Sequence, residues 1–209
     1  MEFLISKRTI LMLTGIIFFS GIAFSQNQTL LEEAFKNSYT HETNAEYSKA
    51  IDVIKKVYDE SSYETNLRLG WLNYQAGLFT ESIAFYNKAI LLMPMSIEAR
   101  LGFVMPAAAL GNWTQVIARY NEILKIDPNN YTVNYRMGSI YYGKQDYQTA
   151  YKHFEKIANL YPFDYDALYM FAWTNYKMGK MREAKVLFGK ALLNKPGDSS
   201  AKEGYDLIK

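Results

Sequence analysis

The chain has 209 residues, 49% of them hydrophobic and 21% charged, which is the composition of a folded polypeptide with a core and excludes a disordered one. Lysine and arginine exceed aspartate and glutamate by only 23 to 21, too small an excess to draw in phosphate backbones or anionic lipid, so no nucleic acid partner is expected. Cysteine is absent and histidine occurs only at His41 and His153, which removes disulfides, thiolate nucleophiles and cysteine-ligated metals and leaves too few imidazoles for a histidine metal site.

The first 25 residues differ in kind from the rest. Lys7 and Arg8 precede an apolar run from Ile10 through Phe24, and Ala23-Phe24-Ser25 places small residues where a signal peptidase reads. Residues 1–25 are therefore expected to be a secretory signal, with a retained N-terminal anchor as the alternative. The apolar core is shorter than the roughly 20 residues that span a bilayer. The expected location is periplasmic or extracellular, with no membrane insertion once the signal is removed.

Next, Thr29-Leu30-Leu31-Glu32 has the spacing of a capping box, and AEYSKAIDVIKKVY over 45–58 has the pattern of an amphipathic helix. Beyond this point the chain repeats. Pro94, Pro128, Pro162 and Pro196 are each separated by 34 residues, a spacing that marks stacked units too small to bury their apolar faces alone. Blocks numbered from Tyr63, Ile97, Tyr131 and Tyr165 end in Ser96, Asn130, Asp164 and Asp198, all good helix N-caps. At block position 15, Gly77, Gly111 and Gly179 supply the left-handed residue that commonly ends a helix, with Gln145 as the exception. Each block thus predicts a helix, a tight turn, a second helix and a proline.

These residues resemble the tetratricopeptide repeat. Met137, Gly138, Tyr141, Ala150, Phe154 and Pro162 match its pattern in one block, and Phe171, Ala172, Ala184, Phe188, Ala191 and Pro196 match it in the next. In LGWLNYQAGLFTESIAFYNKAI the match runs through Leu69, Gly70, Gly77 and Ala89, then Pro94. The expected fold is all-α, a right-handed α-solenoid of helix-turn-helix repeats with a C-terminal capping helix. The organisation is a degenerate first repeat over 29–62, repeats over 63–96, 97–130, 131–164 and 165–198, and the capping helix over 199–209. Block 97–130 is divergent, with Val104 and Val116 in place of small residues and Pro106 inside its first helix, where a local distortion is expected. In the capping helix Ala201, Tyr205 and Ile208 are expected to share the inner face.

The resemblance also implies a concave groove lined by the first helices, with the residues that face a bound partner near positions 2, 5, 9, 12 and 13. Carried over residue by residue, these are Leu67, Trp71, Tyr74 and Gln75; Leu101, Met105 and Ala108; Tyr135, Ser139 and Tyr142; and Tyr169, Trp173, Tyr176 and Lys177. This groove is aromatic, and the lysine and asparagine clamp that family members use for terminal carboxylates is absent from it. Tyr and Trp combine a large rigid contact area with a polar tip, so the expected ligand is a peptide or helix of another protein. Carbohydrate stacked on the aromatic faces, as in a carbohydrate-binding or polysaccharide-secretion accessory protein, is the alternative, and a purely structural subunit of an envelope complex is a third reading. GxSxG, HExxH, P-loop and GxGxxG motifs are lacking, so neither catalysis nor a cofactor is expected. In SIYYGKQDYQTAYKHF, over 139–154, Tyr141, Tyr147 and Phe154 are assigned to packing, Tyr142 to the groove, and Tyr151 and His153 to no site.

Overall fold

The computed structural model of the chain describes residues 28–209, so the signal expected over 1–25 lies outside the described residues. Among the described residues the regular structure is helical, with no strand. The chain divides into two compact units, the first ending at Gly111 and the second beginning at Asn112. The division falls in the turn of the divergent block.

Unit one contains α1, described over 28–43, then α2 (Tyr47–Lys55), α3 (Tyr63–Gln75), α4 (Phe79–Leu92) and α5 (Ile97–Ala109). Consecutive helices from α2 to α5 pack on one another, and α3 also lies beside α5. Unit two contains α6 (Trp113–Ile126), α7 (Tyr131–Gly143), α8 (Tyr147–Leu160), α9 (Tyr165–Lys177), α10 (Met181–Asn194) and α11 (Ser199–Asp206). There α7 lies beside α9, and α9 beside α11. Within each unit the first helices of successive repeats are thus neighbours, and this side-by-side arrangement creates a face on which side chains of different repeats meet.

Local chemistry accounts for where the helices begin and end. The side chains of Ser62, Ser96, Asn130, Asp164 and Asp198 each accept from the backbone N–H three residues on, at 2.8 to 3.2 Å, which satisfies an amide that has no partner inside the helix. The tight turns use the left-handed region as the glycines suggested. Gln145 occupies the same region, at φ 61°, without the freedom of glycine. Its strain is offset by the turn it closes, in which Asp146 N donates to Tyr141 O at 3.0 Å.

One expectation about the first repeat needs correction. Residue 28 is already helical, so Thr29-Leu30-Leu31-Glu32 is not a helix start. Its Glu32 instead accepts from Gln28 Nε2 at 3.1 Å along one helical face. The left-handed residue of this repeat is Ala45, at φ 56°, and α2 has only 9 residues where the other second helices have 14. In the divergent block the proline does not divide the first helix. Pro106 cannot donate to Gly102, yet α5 continues through it and Leu110 N donates to Pro106 O at 3.0 Å.

The core is made of aromatic rings seated on small residues. Tyr86 of α4 is 2% exposed and lies against Gly70 of α3 and Gly102 of α5, where an added Cβ would stand 2.9 Å and 2.2 Å from the ring. Phe154 of α8 and Phe188 of α10 are fully buried, the first over Gly138 and the second over Gly204. Only glycine leaves room for such rings, because helix backbones can approach this closely only where no side chain intervenes. Gly204 also revises the view of the terminal helix. Its inner face is Ala201, Gly204 and Ile208, while Tyr205 is 37% exposed.

Candidate functional site

In unit one, the neighbouring faces of α3 and α5, together with α1, enclose a groove of about 920 Å³. Of the residues assigned to a groove from the sequence, Leu67, Trp71, Leu101 and Met105 line it. Tyr74 packs instead between Trp71 and Phe79, with ring centroids 6.0 Å and 5.9 Å away. Gln75 and Ala108 are partly exposed and lie outside the lining. Phe35, Ile97 and Met93 complete its apolar surface, and Tyr63, Glu64 and Glu98 form a polar edge.

Sequence reasoning missed the floor of this groove. Arg68 is 6% exposed; its Nε donates to Ser38 Oγ at 3.1 Å and its Nη1 pairs with Glu42 Oε2 at 2.5 Å. The same carboxylate accepts from the indole N–H of Trp71, and the Tyr39 ring stacks on the guanidinium at 3.9 Å. Arg68 Nη2 has no partner. A buried charge must be paired and hydrogen bonded, so α1 is tied to α3 by a network that also fixes the Trp71 ring. The polar tip of Trp71 is therefore consumed inside the protein, and what it offers the groove is its ring.

The polar edge is likewise organised. Tyr63 OH bonds to Ser96 Oγ at 2.8 Å and donates to Glu98 Oε2 at 3.1 Å, while Glu64 accepts from Ser62 Oγ at 3.0 Å. Burial pushes the Tyr63 phenol up, and the Glu98 carboxylate beside it adds to the effect. Burial, and then Glu98, push Tyr86 up further still. Both phenols stay protonated near neutrality, and that of Tyr63 donates to Glu98.

Unit two differs. Tyr142, Tyr169, Trp173 and Lys177 line a shallow recess of about 280 Å³ with Met170. Tyr135 and Ser139 are not part of it. Tyr135 stacks on Tyr131 at 6.2 Å and meets Phe154 edge-on at 5.9 Å, and Ser139 Oγ donates to the Tyr135 carbonyl at 2.9 Å. Trp173 is wedged between Phe188, at 5.0 Å, and Tyr176, at 5.5 Å, with its indole N–H buried and unpartnered. Tyr169 is tied to Ser200 of α11, hydroxyl to hydroxyl at 2.6 Å. Much of the aromatic stripe in this unit is therefore structural.

A second cleft in unit two, of about 450 Å³ and bounded by α8, α9 and α10, contains Tyr151, a residue given no site from the sequence. Its ring packs on Phe171 at 5.0 Å, its hydroxyl donates to Glu155 at 2.9 Å, and Lys180 lies over its face at 3.9 Å. His153 stacks on Tyr141 and its Nδ1 lies 3.0 Å from Asn134 Oδ1, with burial lowering its pKa ahead of a smaller effect from Lys156. It is a packed helix residue.

One signal could have located part of what was missed. Position 1 of three blocks is tyrosine, and each reaches the N-cap at position 34 of its own block. Tyr63 bonds to Ser96, Tyr131 donates to Asp164 at 2.5 Å, and Tyr165 donates to Asp198. The pairing is visible as a periodicity, and the divergent block lacks it because Ile97 has no hydroxyl. Glu64 and Glu98 stand at position 2, also periodic. The Arg68 network has no such signal, because Ser38 and Glu42 belong to the degenerate repeat.

Comparisons with known proteins agree with this architecture. Tetratricopeptide repeat models match residues 63–94, 133–164 and 166–197. No curated protein matches the sequence. Among solved structures, a tetratricopeptide repeat protein from Parabacteroides merdae is 20% identical, with 86% of this chain and 72% of that one covered at a TM-score of 0.72. The MamA protein is 21% identical, with 79% of this chain and 92% of that one covered at a TM-score of 0.68. At such identities the likeness concerns the fold alone. The repeat matches and the capped helix pairs together show that residues 63–94, 133–164 and 166–197 are tetratricopeptide repeats.

Proposed function

We propose that the protein is a non-catalytic scaffold that holds a peptide or helix of another protein in the groove of unit one, in the bacterial envelope or outside the cell. The observation that carries this reading is the groove itself. Leucine, methionine and isoleucine side chains surround an indole ring immobilised by Glu42, which makes an apolar anchor site prepared before binding. The location rests on the leader-like residues 1–25. No described helix is long and apolar enough to cross a membrane. The test is cross-linking of the full chain in its native cells, comparing wild type with Leu101→Asp. A specific partner that persists undiminished with the folded variant would remove the groove from consideration.

A second reading, carbohydrate binding, is favoured by one observation in unit two. The recess around Trp173 is shallow, aromatic and edged by Lys177, a form suited to the face of a sugar ring. Glycan titration followed by tryptophan emission separates the two readings, since saturable quenching lost with Trp173→Ala would support the sugar.

A further inference from the structure

We infer that the groove of unit one selects an apolar segment carrying a basic residue and disfavours acidic ones. This rests on the scaffold reading above and adds to it the charge of the ligand. Arg68 is already neutralised by Glu42 at 2.5 Å and contributes no free positive charge. Its unpartnered Nη2 is buried, out of reach of a ligand carboxylate, and the neighbouring Nη1 is already paired with Glu42.

The charges left on the lining are Glu64 and Glu98, both exposed, on neighbouring helices α3 and α5. Their hydrogen-bond partners are the neutral hydroxyls of Ser62 and Tyr63, and among the described residues no salt bridge engages either carboxylate. Glu98 also borders an adjoining apolar recess of about 500 Å³ formed by Met93, Pro94 and Met95. A segment laid across the groove would thus bury its apolar side chains against Leu67, Trp71, Leu101 and Met105. Its lysine or arginine would stand between two carboxylates beside a methionine lip. Like charge at this edge would be repelled, and that repulsion is what confers selectivity.

The test uses the full chain and two capped, fluorophore-labelled peptides of leucine and alanine, identical except that one carries lysine and the other glutamate at its polar positions. Fluorescence anisotropy at low salt is expected to show the lysine peptide bound about tenfold more tightly, with the gap shrinking as salt screens the carboxylates. Glu64→Gln/Glu98→Gln, both exposed and so compatible with folding, should close the gap to about twofold. Leu101→Asp should abolish binding of both peptides. Equal or tighter binding of the glutamate peptide, still lost with Leu101→Asp, would overturn the charge selectivity and leave the scaffold reading standing. Binding that survives Leu101→Asp, or no binding of either peptide, would overturn both.

Discussion

Units one and two are built on the same repeat, yet they use the face formed by their first helices in different ways. In unit one the face is a groove with aliphatic walls, and its floor is a buried arginine held by a carboxylate and a serine from α1. In unit two the corresponding positions hold stacked tyrosines and a tryptophan whose rings continue into the core, as Tyr135 does onto Phe154 and Trp173 onto Phe188. Large aromatic residues at a face can thus fill it, whereas smaller leucine and methionine leave space. The more aromatic stretch of sequence produced the shallower recess.

Four measurements would break or sharpen this contrast. The largest effect is expected in unit two. Phe154→Ala removes a fully buried ring on which Tyr135 rests and should cost about 4 kcal/mol of unfolding free energy in denaturant titration. A loss below about 1 kcal/mol would mean that the stacked face is not continuous with the core.

In unit one the counterpart is Arg68→Met, which keeps the volume but strands Ser38 and Glu42. A loss of about 3 kcal/mol is expected, reduced from the fully buried case because the Glu42 side chain is 23% exposed. In a Trp113→Phe/Trp173→Phe background, Trp71 emission should shift as its ring loses its fixed acceptor. Unchanged emission would show that the floor does not organise the groove.

Gly102→Ala probes the close approach of α4 and α5. A Cβ would stand 2.2 Å from Cε1 of the buried Tyr86 ring, so a cost of about 2 kcal/mol in denaturant titration is expected, and Tyr86→Phe, which keeps that ring carbon, should not recover it.

The smallest effect is a pH dependence. The Ala201 N–H, then the Tyr165 hydroxyl and Lys195, hold the Asp198 carboxyl at about 2. Its folded value lies below the unfolded one, so its contribution is complete above about pH 4 and is lost as pH falls through the folded value. The first-helix caps of unit one, Ser62 and Ser96, cannot titrate in this way. Asp198→Asn should therefore make acid unfolding shallower between about pH 4 and pH 2, and an unchanged acid limb would count against the cap as its origin.

The period of 34, the caps and the turn residues were legible in the sequence because each is a local requirement. An N-cap must accept from an amide three residues away, and a helix must end in a residue that tolerates positive φ. Those requirements act within a few residues and so leave a pattern along the chain. Even the exception obeyed the rule, since Gln145 adopted the glycine conformation. The degenerate first repeat was less legible. Its helix was recognised through Ala50, but the apparent start at Thr29 was a helical Gln28–Glu32 pair.

What the first-helix face became was decided only in three dimensions. Trp71 and Trp173 occupy the same repeat position, and the sequence gives no reason to separate them. One is pinned by Glu42 at the floor of an open groove, and the other is packed among aromatic neighbours. The difference depends on partners 29 residues before Trp71 and 15 after Trp173, on helices whose approach is set by glycines and ring sizes. Local hydrogen-bond rules thus determined the repeat from the sequence alone. The groove, its buried arginine and its acidic edge arise from non-local packing, where the space left by one helix is settled by the side chains of the next.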